Sequence, residues 1–180
     1  MKPNNLKLNN CENFRFCISE AQNLLDNKAS IKELVKKGGQ VDMNFFDGGW
    51  SRNPIVATVW SEEKLVACGA LKVPSKGYKK KLFEERAKSD YPYDTIKYEL
   101  GWMVTDKAYE RRGFCTNIVK MLLRCDGITA GGPLYATTRQ DKFSMQKILR
   151  NNGFYETGQP HLSECGDYKL LLFVRDAKND

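Results

Sequence analysis

The segment Glu110-Arg-Arg-Gly-Phe-Cys-Thr116 sets two arginines against one glycine, and an apolar helical pattern (Ile118, Val119, Leu122, Leu123) follows at once. A helix starting near Gly113–Cys115 leaves its first amide N–H groups without intrahelical acceptors. With the positive end of the helix dipole, those donors make a seat for phosphate. Arg111 and Arg112 add cations able to pair with phosphate oxygens. Gly113 lets a ligand reach the backbone without meeting a Cβ. A plain helix start with solvated arginines accounts for the same residues, and no Gly-Lys-Ser/Thr sequence accompanies the glycine.

Other chemistries have less to work with. The six cysteines (11, 17, 68, 115, 125 and 165) include no C-x-x-C pair, and His161 is the single histidine. Zinc sites draw paired ligands from tight turns, so no metal site is expected. The cysteines read as reduced thiols, several of them buried. His161, in PHLSECGD, reads as an ordinary surface or loop histidine. A formal net charge of +7 favours anionic partners without choosing among nucleic acid, an acidic protein and a phosphorylated cofactor. Its one cluster, KGYKKK at 76–81, lies near Tyr78, Tyr91 and Tyr93.

The elements that must position these residues follow from periodicity and turn chemistry. FRFCI (14–18) predicts a strand. Ser19 with Gln22 predicts a capped helix through Leu24 and Leu25, and Ser30 with Glu33 a second one, closed by Gly38-Gly39. DGGWSRNP (47–54) reads as a turn-rich loop. IVATVW and LVACGALKV, joined by SEEK, predict an antiparallel hairpin. The polar segment 74–95, with KKKLFEERAK helical inside it, reads as an insertion of the kind that contacts substrates.

IKYELGWMV (96–104) predicts a strand whose glycine marks a bulge or a close backbone approach. LYATT (134–138) is another strand. A helix over 143–152 turns Met145, Ile148 and Leu149 inward and ends at Gly153. YKLLLFV (168–174) predicts a strand buried on both faces, which either closes the sheet or extends it across a homodimer. The order suits a mixed α/β layer. One hundred and eighty residues suit one domain, with residues 1–13 a loosely ordered segment. The polar N-terminus and the lack of a run near 20 apolar residues predict a cytoplasmic protein with no membrane partner.

The linked segments together resemble the GCN5-related N-acetyltransferase (GNAT) superfamily. Its pyrophosphate loop, Arg/Gln-x-x-Gly-x-Gly/Ala, is framed here by Glu110-Arg-Arg-Gly-Phe-Cys115, with Gly113 the strict match. Glu-Leu-Gly-Trp-Met-Val (99–104) is similar to the family's fourth strand. Asp141-Lys-Phe-Ser144 and Ile148-Leu-Arg-Asn-Asn-Gly-Phe154 are similar to its Asn-x-x-Ser … Leu-Glu-Lys-x-Gly-Phe helix, with Asp141 at the asparagine position. The resemblance covers roughly residues 55–174.

It implies an α/β (α+β) fold: a mixed, mostly antiparallel central sheet flanked by helices and splayed between the fourth and fifth strands. It implies acetyl-CoA as acyl donor, its pyrophosphate held at Gly113, Phe114, Cys115 and Thr116 with Arg111 and Arg112 nearby. The main chain of Met103 and Val104 would pair with the pantetheine arm and polarise the thioester, and Ser144 would touch the cofactor. The acceptor is a primary amine of a small molecule or protein, attacking directly. An ε-amine with a pKa of about 10.4 arrives mostly protonated, and Glu99 is the candidate base, directly or through water. Leu149 stands where many relatives place an acidic tyrosine. Two rival expectations are a nucleic-acid-binding or -modifying protein and an acyl-CoA sensor without turnover.

Overall fold

The computed structural model describes residues 13–125 and 132–177. In chain order the elements are β1 (Phe14–Glu20), α1 (Lys28–Gly38), α2 (Phe46–Ser51), β2 (Ile55–Ser61), β3 (Lys64–Lys72), α3 (Lys76–Lys80), β4 (Tyr98–Thr105), α4 (Phe114–Leu123), β5 (Leu134–Arg139), α5 (Phe143–Asn151), β6 (Tyr155–Leu162) and β7 (Lys169–Arg175). Hydrogen-bonded neighbours run β1-β2-β3-β4-β5-β7-β6. β4 and β5 are parallel over Tyr98↔Leu134 to Leu100↔Ala136, while the β1–β2, β2–β3, β5–β7 and β6–β7 pairs are antiparallel. The chain forms two compact units, Met1–Leu71 with Trp102–Arg124, and Lys72–Gly101 with Cys125–Asp180. The expected loose segment at 1–13, residue 13 apart, and Cys11 lie outside the described residues.

In the first unit, the β2–β3 hairpin forms as its apolar runs predict, with Glu62 at φ +52 in the turn. The predicted capped helix after β1 does not form. Two 3₁₀ turns, Ala21–Asn23 and Leu25–Asn27, replace it, because Ser19 is still pairing with Val56 in the sheet. Asn53 instead takes the Gln22 amide on its Oδ1 and donates to Glu20. Ser30 lies inside α1 rather than capping it, since the helix opens at Lys28. Its C-terminus is as expected, with Gly39 at φ +65 donating to the Lys36 carbonyl.

The expected loop at 47–54 is largely helix α2. Tertiary stacking overrides the local turn chemistry. Phe46 and Trp50 lie in near-parallel stacks with Trp102 of β4, at centroid distances of 4.7 and 6.4 Å. Gly49 admits the indole, since a Cβ there would stand 3.0 Å from Trp102 Cζ2. Such aromatic pairs contribute about 0.5–1.5 kcal/mol each beyond their burial. Ile31, Leu34 and Val35 of α1 complete this core.

In the second unit, Ser75 caps α3 by accepting the Tyr78 amide, and the helix continues as a π-helical turn over Lys81–Arg86. The helical reading of KKKLFEERAK therefore holds. Leu82, Phe83 and Ala87 pack with Ile96, Tyr135, Leu172 and Val174. α5 forms as predicted, but its inward residues are Gln146 and Leu149, with Met145 and Ile148 half-buried. Gln146 can be buried because its side-chain amide donates to the Arg139 and Gln140 carbonyls.

β6 was not legible in the sequence. YETGQPHL is polar and mostly exposed because β6 ends the strand order, and an edge strand tolerates Pro160 and the register shift between Thr157 and His161. His161 is accordingly not a surface histidine. It lies on β6 opposite Leu170, 7% exposed.

Candidate active site

Two groups of candidate residues can be followed, one in each unit. In the first, α4 begins at Phe114 with Gly113 as its N-cap, at φ +79 and ψ 7. That left-handed conformation suits glycine, and a Cβ at Gly113 would meet nothing within 4 Å, so the helix start is open. Arg111, two residues earlier, also has positive φ (+62) and is exposed, as is Glu110. The two left-handed residues turn the chain sharply into the helix.

Phe114 anchors that turn. Its ring is buried edge-on against Phe14 and Phe16, at 4.8 and 5.9 Å. Of Phe114, the main chain alone is therefore left for a ligand. Arg112 lays its guanidinium over the Phe14 and Tyr109 rings, at 5.7 and 5.2 Å, so part of its role is to hold the loop. Cys115 and Thr116 are half-buried in the first turn, and burial pushes the Cys115 thiol up to about 11. A thiol so shifted is a small apolar group at neutral pH and a poor nucleophile.

The connection into this loop is pinned. The Asp106 amide donates to the Val66 carbonyl, and its carboxylate accepts the Ala108 amide and pairs with Lys64 at 3.0 Å. On β4, Met103 and Val104 face opposite ways. A Cβ on Gly69 would lie 2.3 Å from Met103 Sδ and 2.7 Å from Ile118 Cγ2, so Met103 packs beside α4, while Val104 crowds Gly38 of α1. Trp102, next to the strand's glycine, has a left-handed φ of +53, and its carbonyl accepts the Cys68 thiol.

In the second unit, Glu99 of β4 is 4% exposed and both its oxygens are engaged. Lys72 Nζ, at the end of β3, lies 2.7 Å from Oε1, and the Tyr135 hydroxyl of β5 donates to Oε2 at 3.1 Å. Lys72 reaches Glu99 across Gly101, where a Cβ would stand 2.5 Å from Lys72 Cε. Here is the close approach that a strand glycine implies. Tyr78 of α3 exposes 37% of its surface, yet the charge of Glu99, then burial, raises its phenol above the usual range. Sequence reasoning missed Lys72 and Tyr135, and only the pattern of strand pairing could have supplied them.

No protein-family model and no curated protein matches the chain. Solved structures do. ElaA of Escherichia coli shares 14% identity over 91% of this chain and 99% of its own, at a TM-score of 0.67. The structure of yncA from Salmonella typhimurium, described as a putative acetyltransferase with its cofactor acetyl-CoA, shares 10% identity over 93% and 96%, at 0.65. The ribosomal-protein-S18-alanine N-acetyltransferase of Escherichia coli shares 10% over 92% and 96%, at 0.64.

The fold is that of the GCN5-related N-acetyltransferases. Within it, α5 is the helix that the Asp141–Phe154 segment resembled. Ser144 is exposed in its first turn, and Leu149 is fully buried, so the residue at the expected acid position is core. Asp141 pairs with Arg139 of β5, which holds its carboxyl below the ordinary range. Asp141, Phe143, Leu162 and Tyr168 also line a cavity of about 540 Å³. Among the described residues no cluster of histidine, cysteine, aspartate or glutamate could hold a metal, and no helix is long and apolar enough to cross a membrane.

Proposed function

We propose that this protein is an N-acetyltransferase that moves an acetyl group from acetyl-CoA to a primary amine by direct attack. The open, glycine-capped start of α4, on a fold shared with acetyltransferases, is the observation that carries this reading. The residues fit the donor. The amides of residues 113–116 would take the pyrophosphate at the positive end of the helix, with exposed Arg111 adding charge and Arg112 steadying the loop. The main chain of Met103 and Val104 would hold the pantetheine arm and face the oxyanion that develops during attack. Ser144 would supply a further polar contact. The donor supplies an activated acyl group on a thiolate leaving group.

Glu99 is the proposed base. Its burial means that a proton reaches it through water or by a shift of Lys72. Removing such a base costs about 10²–10⁴-fold in rate. Thiol release from acetyl-CoA across a panel of amines tests the proposal, and Glu99→Gln should cut kcat within that range in the active pairing. Release that is indifferent to Glu99→Gln removes Glu99 from the role. We place the enzyme in the cytoplasm, with a small-molecule or protein acceptor.

The sensor reading draws on the engaged oxygens of Glu99 and on buried Leu149. Tight acetyl-CoA binding with no release across the panel would favour it. Three features of the basic segment weigh against the nucleic-acid reading. Lys79 is buried and donates to the Asp94 and Ile96 carbonyls, Lys81 pairs with Glu164, and Tyr91 and Tyr93 pack beside Phe83 with their hydroxyls on Asp176 and Glu84.

A further inference from the structure

The base proposed for the reaction is already bonded to an amine, and that amine belongs to the chain itself. Fully buried Tyr135 donates to Glu99 Oε2, so Oε1 is the oxygen left to take a proton. Lys72 Nζ stands 2.7 Å from Oε1. The lysine lies against the main chain of β4, since a Cβ on Gly101 would stand 2.5 Å from its Cε and 3.0 Å from its Nζ. It is not sealed in, for its side chain keeps 21% of its surface exposed against 5% for Glu99. Lys79 makes the contrast: it is equally inward, but its amine donates to the Asp94 and Ile96 carbonyls, which take up no proton.

A lysine must shed a proton before its nitrogen can attack, and a carboxylate at hydrogen-bond distance is what general-base help requires. On the acetyltransferase reading, the thioester is held at the main chain of Met103, two residues beyond Gly101 in β4. Two residues of chain span at most about 7 Å, a distance within the swing of a lysine's flexible four-carbon stem. We infer that Lys72 is a self-acetylation site, its amine taking an acetyl group from acetyl-CoA seated on the same chain. The inference rests on the acetyltransferase reading. The Lys72 ammonium passes one proton to Glu99 Oε1, its nitrogen bonds to the acetyl carbonyl carbon, and the C–S bond breaks. The departing thiolate takes the proton from Glu99, and the second proton that nitrogen sheds as the amide forms goes to water. The product is a neutral amide, which withdraws the cation from Glu99 and leaves Oε1 to an incoming acceptor.

The test incubates the full chain with acetyl-CoA carrying an isotope-labelled acetyl group, adds no amine, and maps the label by mass spectrometry of peptides. Label should collect on Lys72 ahead of Lys36 and Lys147, which are exposed on α1 and α5 and report acetylation by solution chemistry alone. In urea-unfolded protein the three should label alike. The labelled fraction of Lys72 should grow at the same rate in diluted protein, as transfer within one chain requires. Glu99→Gln should cut the Lys72 label about a hundredfold or more and leave that on Lys36 and Lys147 unchanged. Gly113→Glu, far from Lys72 in sequence, should do the same by closing the seat, so the result does not depend on the Glu99 variant folding. Lys72 labelled no faster than Lys36 and Lys147, a lead that persists in urea, or a rate that falls on dilution overturns the inference. If added amines are acetylated while Lys72 is not, it falls alone. Transfer neither to Lys72 nor to any amine, with acetyl-CoA bound, overturns the acetyltransferase reading as well.

Discussion

Lys72 Nζ and Glu99 Oε1 lie 2.7 Å apart, and the lysine reaches that position by passing over the Cα of Gly101. The pair joins the end of β3 to the second residue of β4, and it depends on one missing methyl group. Glu99, 4% exposed, is held in a protein interior by that ammonium and the Tyr135 hydroxyl. A carboxylate so buried is costly when its partner is removed.

Gly101→Ala should displace Lys72 from Glu99, because the new Cβ would fall 2.5 Å from Cε and 3.0 Å from Nζ. The flexible lysine can swing away, so the loss comes from the stranded carboxylate, about 1–3 kcal/mol. Urea unfolding should show this loss in the wild-type background and much less of it when Lys72 is already methionine. Equal losses in both backgrounds would mean that Gly101 acts through strand geometry instead.

His161 carries a pH signature. Both ring nitrogens are buried and lack hydrogen-bond partners, and burial pulls the imidazole below its ordinary value of 6.5, with the Gln159 main chain opposing and Arg86 assisting. The unfolded chain therefore binds a proton at a pH where the native protein does not. Protonation linkage at this histidine costs nothing above about pH 6.5, and stability falls as pH drops from there toward the lowered native value. His161→Leu should flatten that part of the stability profile and raise stability at neutral pH by about 1 kcal/mol, because two unsatisfied nitrogens disappear. Chemical denaturation between pH 7.5 and 5.5 measures both effects.

Trp102→Ala should be among the most damaging single changes in the first unit, at about 3–5 kcal/mol. The indole is 5% exposed and closes the stack with Phe46 and Trp50. Relief of its left-handed backbone returns nothing, since alanine also disfavours φ +53. Comparison of the midpoints and slopes of denaturant curves checks the value.

Much of this fold was written in local pattern. The β2–β3 hairpin, α1 with its Gly38-Gly39 ending, and α4 with Ile118, Val119 and Leu122 inward all follow from periodicity and turn residues. The helix boundary at Gly113 was legible in a glycine followed by an apolar helical pattern, and α4 opens there on a left-handed N-cap. What failed to show locally was made by distant partners. α2 replaces a loop because Trp102, about fifty residues on, stacks upon it. β6 is polar because it pairs along one edge only, so its alternation never registers as a strand. The ion pair of Lys72 with Glu99 spans 27 residues and exists only in the folded register.

Thermal unfolding with and without acetyl-CoA reads out the proposed seat at the start of α4. Ligand at about a hundred times its dissociation constant stabilises by about 2.7 kcal/mol, which raises the melting temperature of a chain this size by about 5–10 °C. Gly113→Glu, whose carboxylate would project into that open space, should remove the shift while leaving the unliganded protein folded. An unchanged melting temperature at millimolar acetyl-CoA, or a shift that survives Gly113→Glu, would mean that acetyl-CoA is not held at the start of α4.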